Sequence, residues 1–351
     1  MRRLLAIFAK SLGLLVGNMS NHEVSLVQVY PETHPNADKL DVCKVFGYSC
    51  VVGKGQFEPG AIAAFIPPDS LVDTNRPEFS FDFLKKSAKL DGLVRIKCQR
   101  LRGVLSEGLL IPFSGAAGEN VADKLGVVHY EPAVEAVNGE PHKTGVLNSV
   151  VAPPGREGLA KYDVENFKRY GDSLEDGEIV AITEKIHGAN GRWCYSNGQY
   201  YAGSRGHWYR EDKSNIWWKA LYSHPEIKAF CKANPNLTVY GEAYGNVQAL
   251  RYGIPNQVKI LVFDIMEGRD NWKSVLWRYE HDYLPWVPLL YLGPLVRQDA
   301  LQLAEGASIV SGAGHVREGV VVKPIVERRD NHVGRVQLKI IGEGYYNLKE
   351  A

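Results

Sequence analysis

A Pro/Gly-rich, weakly periodic stretch, EPAVEAVNGEPHKTGVLNSVVAPPGRE at residues 131–157, divides this chain into two unlike halves. Before it, residues 24–113 read as short β-runs. EVSLVQVYPE alternates loosely, and KLDVCKVFGYSCVVG carries two β-rich runs about a Gly-Tyr-Ser turn. GAIAAFIPPDSLV is an apolar strand stopped by Pro67 and Pro68. In LVRIKCQRLRGVLSEGLLIPF, Val94, Ile96 and Cys98 alternate with Arg95, Lys97 and Gln99. Short strands with turn signals and little helix predict a small β-barrel over residues 20–130. From residue 158 to 351 the pattern is mixed helix and strand, and KSNIWWKALYSHPEIKAFCKAN is its clearest helical stretch. Length agrees: 351 residues suit about two domains, with 131–157 as the linker.

Charge and cysteine content exclude some classes. The formal net charge is +1, so nucleic-acid binding has to rely on local basic patches. Cys43, Cys50, Cys98, Cys194 and Cys231 form no CxxC pair, which argues against a disulfide framework or structural zinc and for reduced cytosolic thiols. The first 18 residues, MRRLLAIFAKSLGLLVGN, are too short for a membrane span and lack a clean cleavage signal. Because MSNHEVSLVQVY reads as an ordinary domain start, residues 1–19 are expected to be a tail or an over-extended start. A cytoplasmic monomer that does not engage a membrane is the expectation.

Three stretches invite chemistry. GYSCVVGKGQ fails as a phosphate loop: five residues separate Gly47 from Gly53, and Gly55 follows the lysine where Ser or Thr is required. HPNADKLDVCKV offers a turn that caps a strand pair, and Arg95, Lys97, Arg100 and Arg102 follow downstream. Alternation puts Arg95 and Lys97 on one face, suited to a phosphate backbone or simply to solvent. In ITEKIHGANGRW, Lys185 precedes His187, Gly188 and Asn190. Alone, it reads as a surface lysine. It is followed in order, however, by AGSRGHW with Arg205, TVYGEAYG with Glu242, ILVFDIMEG with Phe263 and Asp264, REGVVVKP with Glu318 and Lys323, and RVQLKI with Lys339.

That ordered set resembles the nucleotidyltransferase domain of ATP-dependent RNA ligases, within the superfamily that also holds DNA ligases and capping enzymes. EKIHGAN, with His where DNA ligases have Asp, is similar to the RNA ligase 2 type. HPNADKL is similar to the opening of OB-fold tRNA-binding domains, and the N-terminal half looks like the OB domain that precedes the ligase domain in one branch of RNA ligases. The implied fold is α+β: an OB-fold β-barrel, then a covalent nucleotidyltransferase (ATP-grasp-like ligase) domain with antiparallel sheets at residues 158–351.

The resemblance implies an ATP-dependent RNA ligase that joins 3′-OH to 5′-phosphate RNA ends, in repair of nicked duplexes, with ATP and Mg²⁺ or Mn²⁺ as cofactors. Lys185 would attack the α-phosphorus of ATP and form lysyl-AMP. AMP would pass to the 5′-phosphate, and the 3′-OH would displace it, so that a covalent intermediate divides one hard step. The resemblance also implies roles at the site. Glu184 would lie by the adenine edge through its backbone, Phe263 would stack on the base, and Ile186 would belong to the nucleotide-binding set. Arg205 and Glu242 would hold the ribose, with His187, Asn190, Lys323 and Lys339 at the phosphates. Glu318 would take the metal, and Arg95, Lys97, Arg100 and Arg102 would bind RNA. A lysine of ordinary pKa near 10.4 must be neutral to attack, and partial burial with a cationic neighbourhood of Lys323, Lys339, Arg205 and a metal ion is expected to help.

One departure stands out. The family's last motif has two lysines spaced by one residue, and here Gln337 occupies the first position. It raises the rival of a non-catalytic RNA-binding protein on a tRNA-binding-like OB fold. DNA ligases and capping enzymes carry an OB domain after the catalytic one, and the short stretch after Lys339 is expected to leave no room for it.

Overall fold

The computed structural model describes residues 22–88, 91–130, 149–150 and 152–350. The expected tail at 1–19 and positions 131–148 of the expected linker lie outside the described residues.

The N-terminal half is built from short antiparallel strands. Ala61–Ile66 runs between Ser25–Val29 and Leu109–Pro112. Its neighbours are a sheet of Pro31–Thr33, Leu40–Val45 and Tyr48–Gly53, a second around Ser70–Asp73, and the hairpin Gln99–Leu101 with Val104–Ser106. Ala61–Ile66 is a nearly continuous apolar run because both of its faces are covered. Ala64 and Ile66 join Leu26, Val72, Phe79 and Ile111 on one side. Ala63 and Phe65 join Val29, Cys43, Tyr48 and Leu110 on the other. The HPNADKL turn joins Pro31–Thr33 to Leu40–Val45 and pins the hairpin tip. His34 Nδ1 accepts from the Asn36 N–H at 3.0 Å, which leaves His34 Nε2 to donate to the Leu101 carbonyl at 3.0 Å. The Asn36 amide donates to the Arg102 carbonyl. Arg102 (φ 50°) and Gly103 (φ 88°) both take left-handed backbone, which a two-residue hairpin turn requires.

The C-terminal half has a seven-stranded and a five-stranded sheet. The only parallel pairing among these described strands joins Glu165–Asn166 to Leu338–Ile341. The stretch that read as one helical region forms two helices, Ile216–Tyr222 and Pro225–Ala233. Asn215 caps the first through Trp217 and Trp218 N–H groups, and Pro225 opens the second. Both cover the seven-stranded sheet, against Trp193, Val239, Ile260 and Val262. Arg297–Leu303 lies with Val180, Ile182, Val320, Val322, Leu338 and Ile340 of the other sheet. Period-two alternation sends the intervening residues, Lys185, Lys323 and Lys339, to the opposite face. Residues 152–157, expected to be linker, are instead part of this half: Arg156 is buried and donates to Thr238 Oγ1 and to the Pro235 and Leu237 carbonyls. No helix among the described residues is long and apolar enough to cross a membrane.

Asp264, on Val258–Glu267 of the larger sheet, reaches across to the smaller one. Its carboxylate accepts from Lys323 Nζ at 2.6 Å and from Arg335 at 2.7 and 3.0 Å. The Tyr162 hydroxyl lies 2.5 Å away. Burial pushes the Asp264 carboxyl up, but Arg335 and Lys323 outweigh it and hold it at about 2. The two halves of the chain also touch. Glu107 accepts from Lys168 at 2.7 and 2.8 Å, and Arg169 donates to Glu23 and Ser25.

Asp264→Ala leaves Lys323 and Arg335 buried without their shared anion, so unfolding free energy in urea should fall by about 3–5 kcal/mol. A fall under about 1 kcal/mol would refute the clasp, being no more than a surface pair contributes. The sign with pH follows from the depressed carboxyl: its contribution is present above about 3.8 and is lost as pH falls toward about 2.

Candidate active site

The chain passes from the smaller sheet to the larger in three residues. Ile179–Lys185 ends at the lysine, and Ala189–Ser196 begins after Ile186, His187 and Gly188. A Cβ on Gly188 would sit 2.2 Å from the Ala243 carbonyl oxygen, so no larger residue fits this crossing. The crossing puts Lys185 at the lip of one sheet and Asn190 opposite Glu242 in the other.

Three polar side chains meet there. Lys185 Nζ lies 2.9 Å from Glu318 Oε2, and His187 Nδ1 lies 3.5 Å from the same oxygen. The lysine contact lacks hydrogen-bond alignment, and Glu318 Oε2 is buried with no hydrogen-bond partner. Asn190 Oδ1 is likewise buried and unpartnered. Burial alone would lower the Lys185 pKa, but Glu318 and Glu242 outweigh it and hold the amine above its ordinary value. Burial raises the Glu318 carboxyl, but the neighbouring charges, Lys185 first among them, outweigh it and bring it to about 2. Burial pushes Glu242 up to about 8, only partly offset by Lys185.

This corrects the expected cationic neighbourhood, because the groups around Lys185 are carboxylates. Lys323 does not offer its charge to a phosphate. Its Nζ is buried on Asp264 and donates to the Phe263 carbonyl at 3.1 Å. Arg205 faces Asp163 at 3.5 Å. Lys339 is half-buried in a pocket between the two halves, lined also by His22, Asp69, His129 and Asp163. Gln337 is no vacancy: its Oε1 is 2.8 Å from the Tyr162 hydroxyl and its Nε2 donates to the Asp163 carbonyl. A lysine there would add a third cation beside Lys323 and Arg335, against Asp264 and Glu327.

The remaining expected residues divide. Ile186, Phe263 and Leu261 form an apolar patch with Tyr244, Tyr252 and Val287, beside the lysine. Phe263 also packs on the Tyr162 ring, centroids 4.8 Å apart. The Glu184 backbone N–H is taken by the Pro288 carbonyl, and its buried carboxylate anchors a loop by accepting from Ile309 N–H and Ser308. In the barrel, Lys97 and Arg102 are exposed, while Arg95 pairs with Asp69 and covers Tyr130. Arg100 departs from the expectation of an RNA contact: it donates to Asn347 at 2.7 Å and pairs with Glu343, bridging the halves. The sequence reading missed Tyr252, whose hydroxyl accepts from the His187 N–H, and Tyr345, at His187 Nδ1. Neither stands in a stretch with a chemical pattern of its own.

Among the described residues no three His, Cys, Asp or Glu side chains form a metal cluster. The orphaned Glu318 oxygen suits a hard cation such as Mg²⁺, which takes one or two carboxylates and keeps its other positions for water and phosphate.

Fold and site together define a barrel followed by a nucleotidyltransferase-type domain with a lysine at the lip of its cleft. Residues 178–341 match the RNA ligase family, and residues 24–113 match an OB-fold domain family. The second half of the chain is thus similar to the RNA ligase family over residues 178–341, behind a segment similar to an OB-fold domain. No curated protein matches the sequence. Among solved structures, a Naegleria gruberi RNA ligase with PPi is 22% identical with a TM-score of 0.75, covering 94% of this chain and 99% of that one. A variant of the N. gruberi RNA ligase with ATP and Mn is 22% identical at TM-score 0.74, covering 93% and 98%. Another variant, apo, is 23% identical at 0.75, covering 95% and 99%.

The raised Glu242 carboxyl makes a stability prediction. Between about pH 4.5 and about 8 the folded chain keeps a proton that the unfolded chain has lost. Stability of the nucleotide-free protein should therefore fall as pH rises through this window. Glu242→Gln should flatten that fall in thermal unfolding, and parallel curves for variant and wild type would contradict the assignment.

Proposed function

We propose that this chain is an ATP-dependent RNA ligase that joins RNA 3′-OH to 5′-phosphate ends through lysyl-AMP and an adenylylated 5′ end. The observation that carries the reading is Lys185, set against Glu318 at a sheet crossing inside the segment that matches the RNA ligase family. Mg²⁺ or Mn²⁺ is the proposed metal, nicked duplex RNA the substrate, and a cytoplasmic monomer the working form.

On this reading the nucleotide-free chain keeps Lys185 as an ammonium, held by Glu318. Attack on the α-phosphorus needs the free amine, so Glu318 must give up this contact and the lysine proton must leave before the Nζ–P bond forms and the pyrophosphate oxygen departs. Glu318 is the residue to hold the divalent ion, which when bound would neutralise charge on the α-phosphate. Glu242 is suited to ribose hydroxyls, since a carboxylate accepts and does not donate once ionised. The apolar patch of Ile186, Leu261 and Phe263 is the adenine seat. Lys339, and not Lys323, is the lysine for the phosphates, from a position that the barrel residues His22, Asp69 and His129 share. Support for ATP and manganese comes from the N. gruberi ligase structures that hold them.

The test is incubation with α-labelled ATP and Mg²⁺ or Mn²⁺. Wild type should take label, Lys185→Ala should not, and Lys185→Arg should also fail because guanidinium stays protonated. Glu318→Ala should lose about 100-fold in labelling. Unchanged labelling in the lysine variants would sink the proposal, and an unlabelled wild type that binds RNA would favour the non-catalytic reading. RNA affinity supplies a second check: charge removal at exposed Lys97 and Arg102 should flatten its salt dependence by about one unit of slope per lost phosphate contact. An unaltered slope would remove this strand from the RNA path.

A further inference from the structure

The C-terminal helix, Glu343–Glu350, is seated between the two halves of the chain. Its start is held by Glu305, whose carboxylate accepts from the Glu343 and Gly344 N–H groups at 2.6 and 3.1 Å. Toward the barrel, Arg100 donates to Asn347 and pairs with Glu343, and Tyr346 lies near Cys98. Toward the cleft, Tyr345 is buried, 3% exposed, with its hydroxyl 3.0 Å from His187 Nδ1 and its ring edge-on to the imidazole.

His187 stands two residues past the proposed nucleophile. Its backbone N–H goes to Tyr252 Oη at 2.7 Å, which ties down the main chain and leaves the ring to be set by other groups. Two oxygens face Nδ1: the Tyr345 hydroxyl at 3.0 Å and Glu318 Oε2 at 3.5 Å. The distances favour the phenol. A neutral imidazole carries its proton on one nitrogen, and the partner of the other decides which. A phenol is protonated at neutral pH, so the Tyr345 hydroxyl has a proton to donate to the nitrogen 3.0 Å away.

We infer that Tyr345 is a positioning residue: by donating to Nδ1 it holds His187 in the Nε2–H tautomer and keeps Nδ1–H away from Glu318. This has two consequences for the ligase reading, on which the inference rests. The ring keeps a donor on Nε2, which has no hydrogen-bond partner among the described residues and can be offered to a phosphate oxygen. Glu318 is also spared a hydrogen bond from the imidazole, so its orphaned oxygen stays open. The helix that carries Tyr345 is in turn braced by the barrel through Arg100, and this links the placement of the two halves to the rotamer of one ring.

The test uses the full chain labelled with ¹⁵N-histidine, free of nucleotide and at a mildly alkaline pH, with the His187 signals identified by their absence in His187→Gln. A long-range ¹H–¹⁵N spectrum should show an unprotonated Nδ1 and a protonated Nε2 for His187. Tyr345→Phe keeps the ring against the imidazole and removes only the hydroxyl. It should shift both nitrogens toward averaged values and slow label transfer from ATP by about 2- to 10-fold, the span of one hydrogen bond. A protonated Nδ1 in wild type, or an unchanged spectrum in Tyr345→Phe, overturns the inference even if the chain labels normally. Absence of label on wild type overturns the ligase reading and Tyr345's part in it, while the spectrum still decides the tautomer.

Discussion

The buried carboxylate of Asp264 ties the two sheets of the C-terminal half together. One anion from the larger sheet satisfies a lysine from the smaller, an arginine from the hairpin just before that sheet's strand Leu338–Ile341, and a tyrosine hydroxyl from the segment that leads into the same sheet. Such a group is costly to bury, and it is tolerated because four donor contacts replace its water. The clasp also fixes what is available for chemistry. It withdraws Lys323 from the cleft, and it leaves no room for a further cation, which gives a physical reason for Gln337 at the neighbouring position.

A second constraint is the short crossing between sheets. Three residues carry the chain from the lysine to the start of the next strand, so Lys185, His187 and Asn190 cannot drift apart. Opposite them stand Glu318 and Glu242, each from a different sheet. The result is a lysine in an anionic setting. That setting stabilises the ammonium of the proposed nucleophile.

The OB-fold domain is more than an appended module in this arrangement. Glu107, Glu23 and Ser25 are engaged by Lys168 and Arg169, and Arg100 by the last helix. These contacts use polar and charged side chains at short range. Because Lys339 shares its pocket with His22 and His129, the barrel lies close to the proposed phosphate end of the cleft.

Much was legible in the sequence. Strand and helix periodicity separated the two halves, whereas the common face of Lys185, Lys323 and Lys339 required the pairing of three strands distant in the chain. The ordered motifs marked Lys185, Glu242 and Glu318, which the fold brings to one cleft. What the sequence could not reveal was partnership. Whether Lys323 faces a phosphate or Asp264, whether Arg100 meets RNA or Asn347, and whether Lys185 sits among cations or carboxylates all depend on groups some 59 to 247 positions away in the chain. A charge has the same appearance in a motif whether it is spent or free. Only the packed structure decides, because a short-range interaction is set by distances of a few ångströms, and these exist only once the sheets have closed on each other.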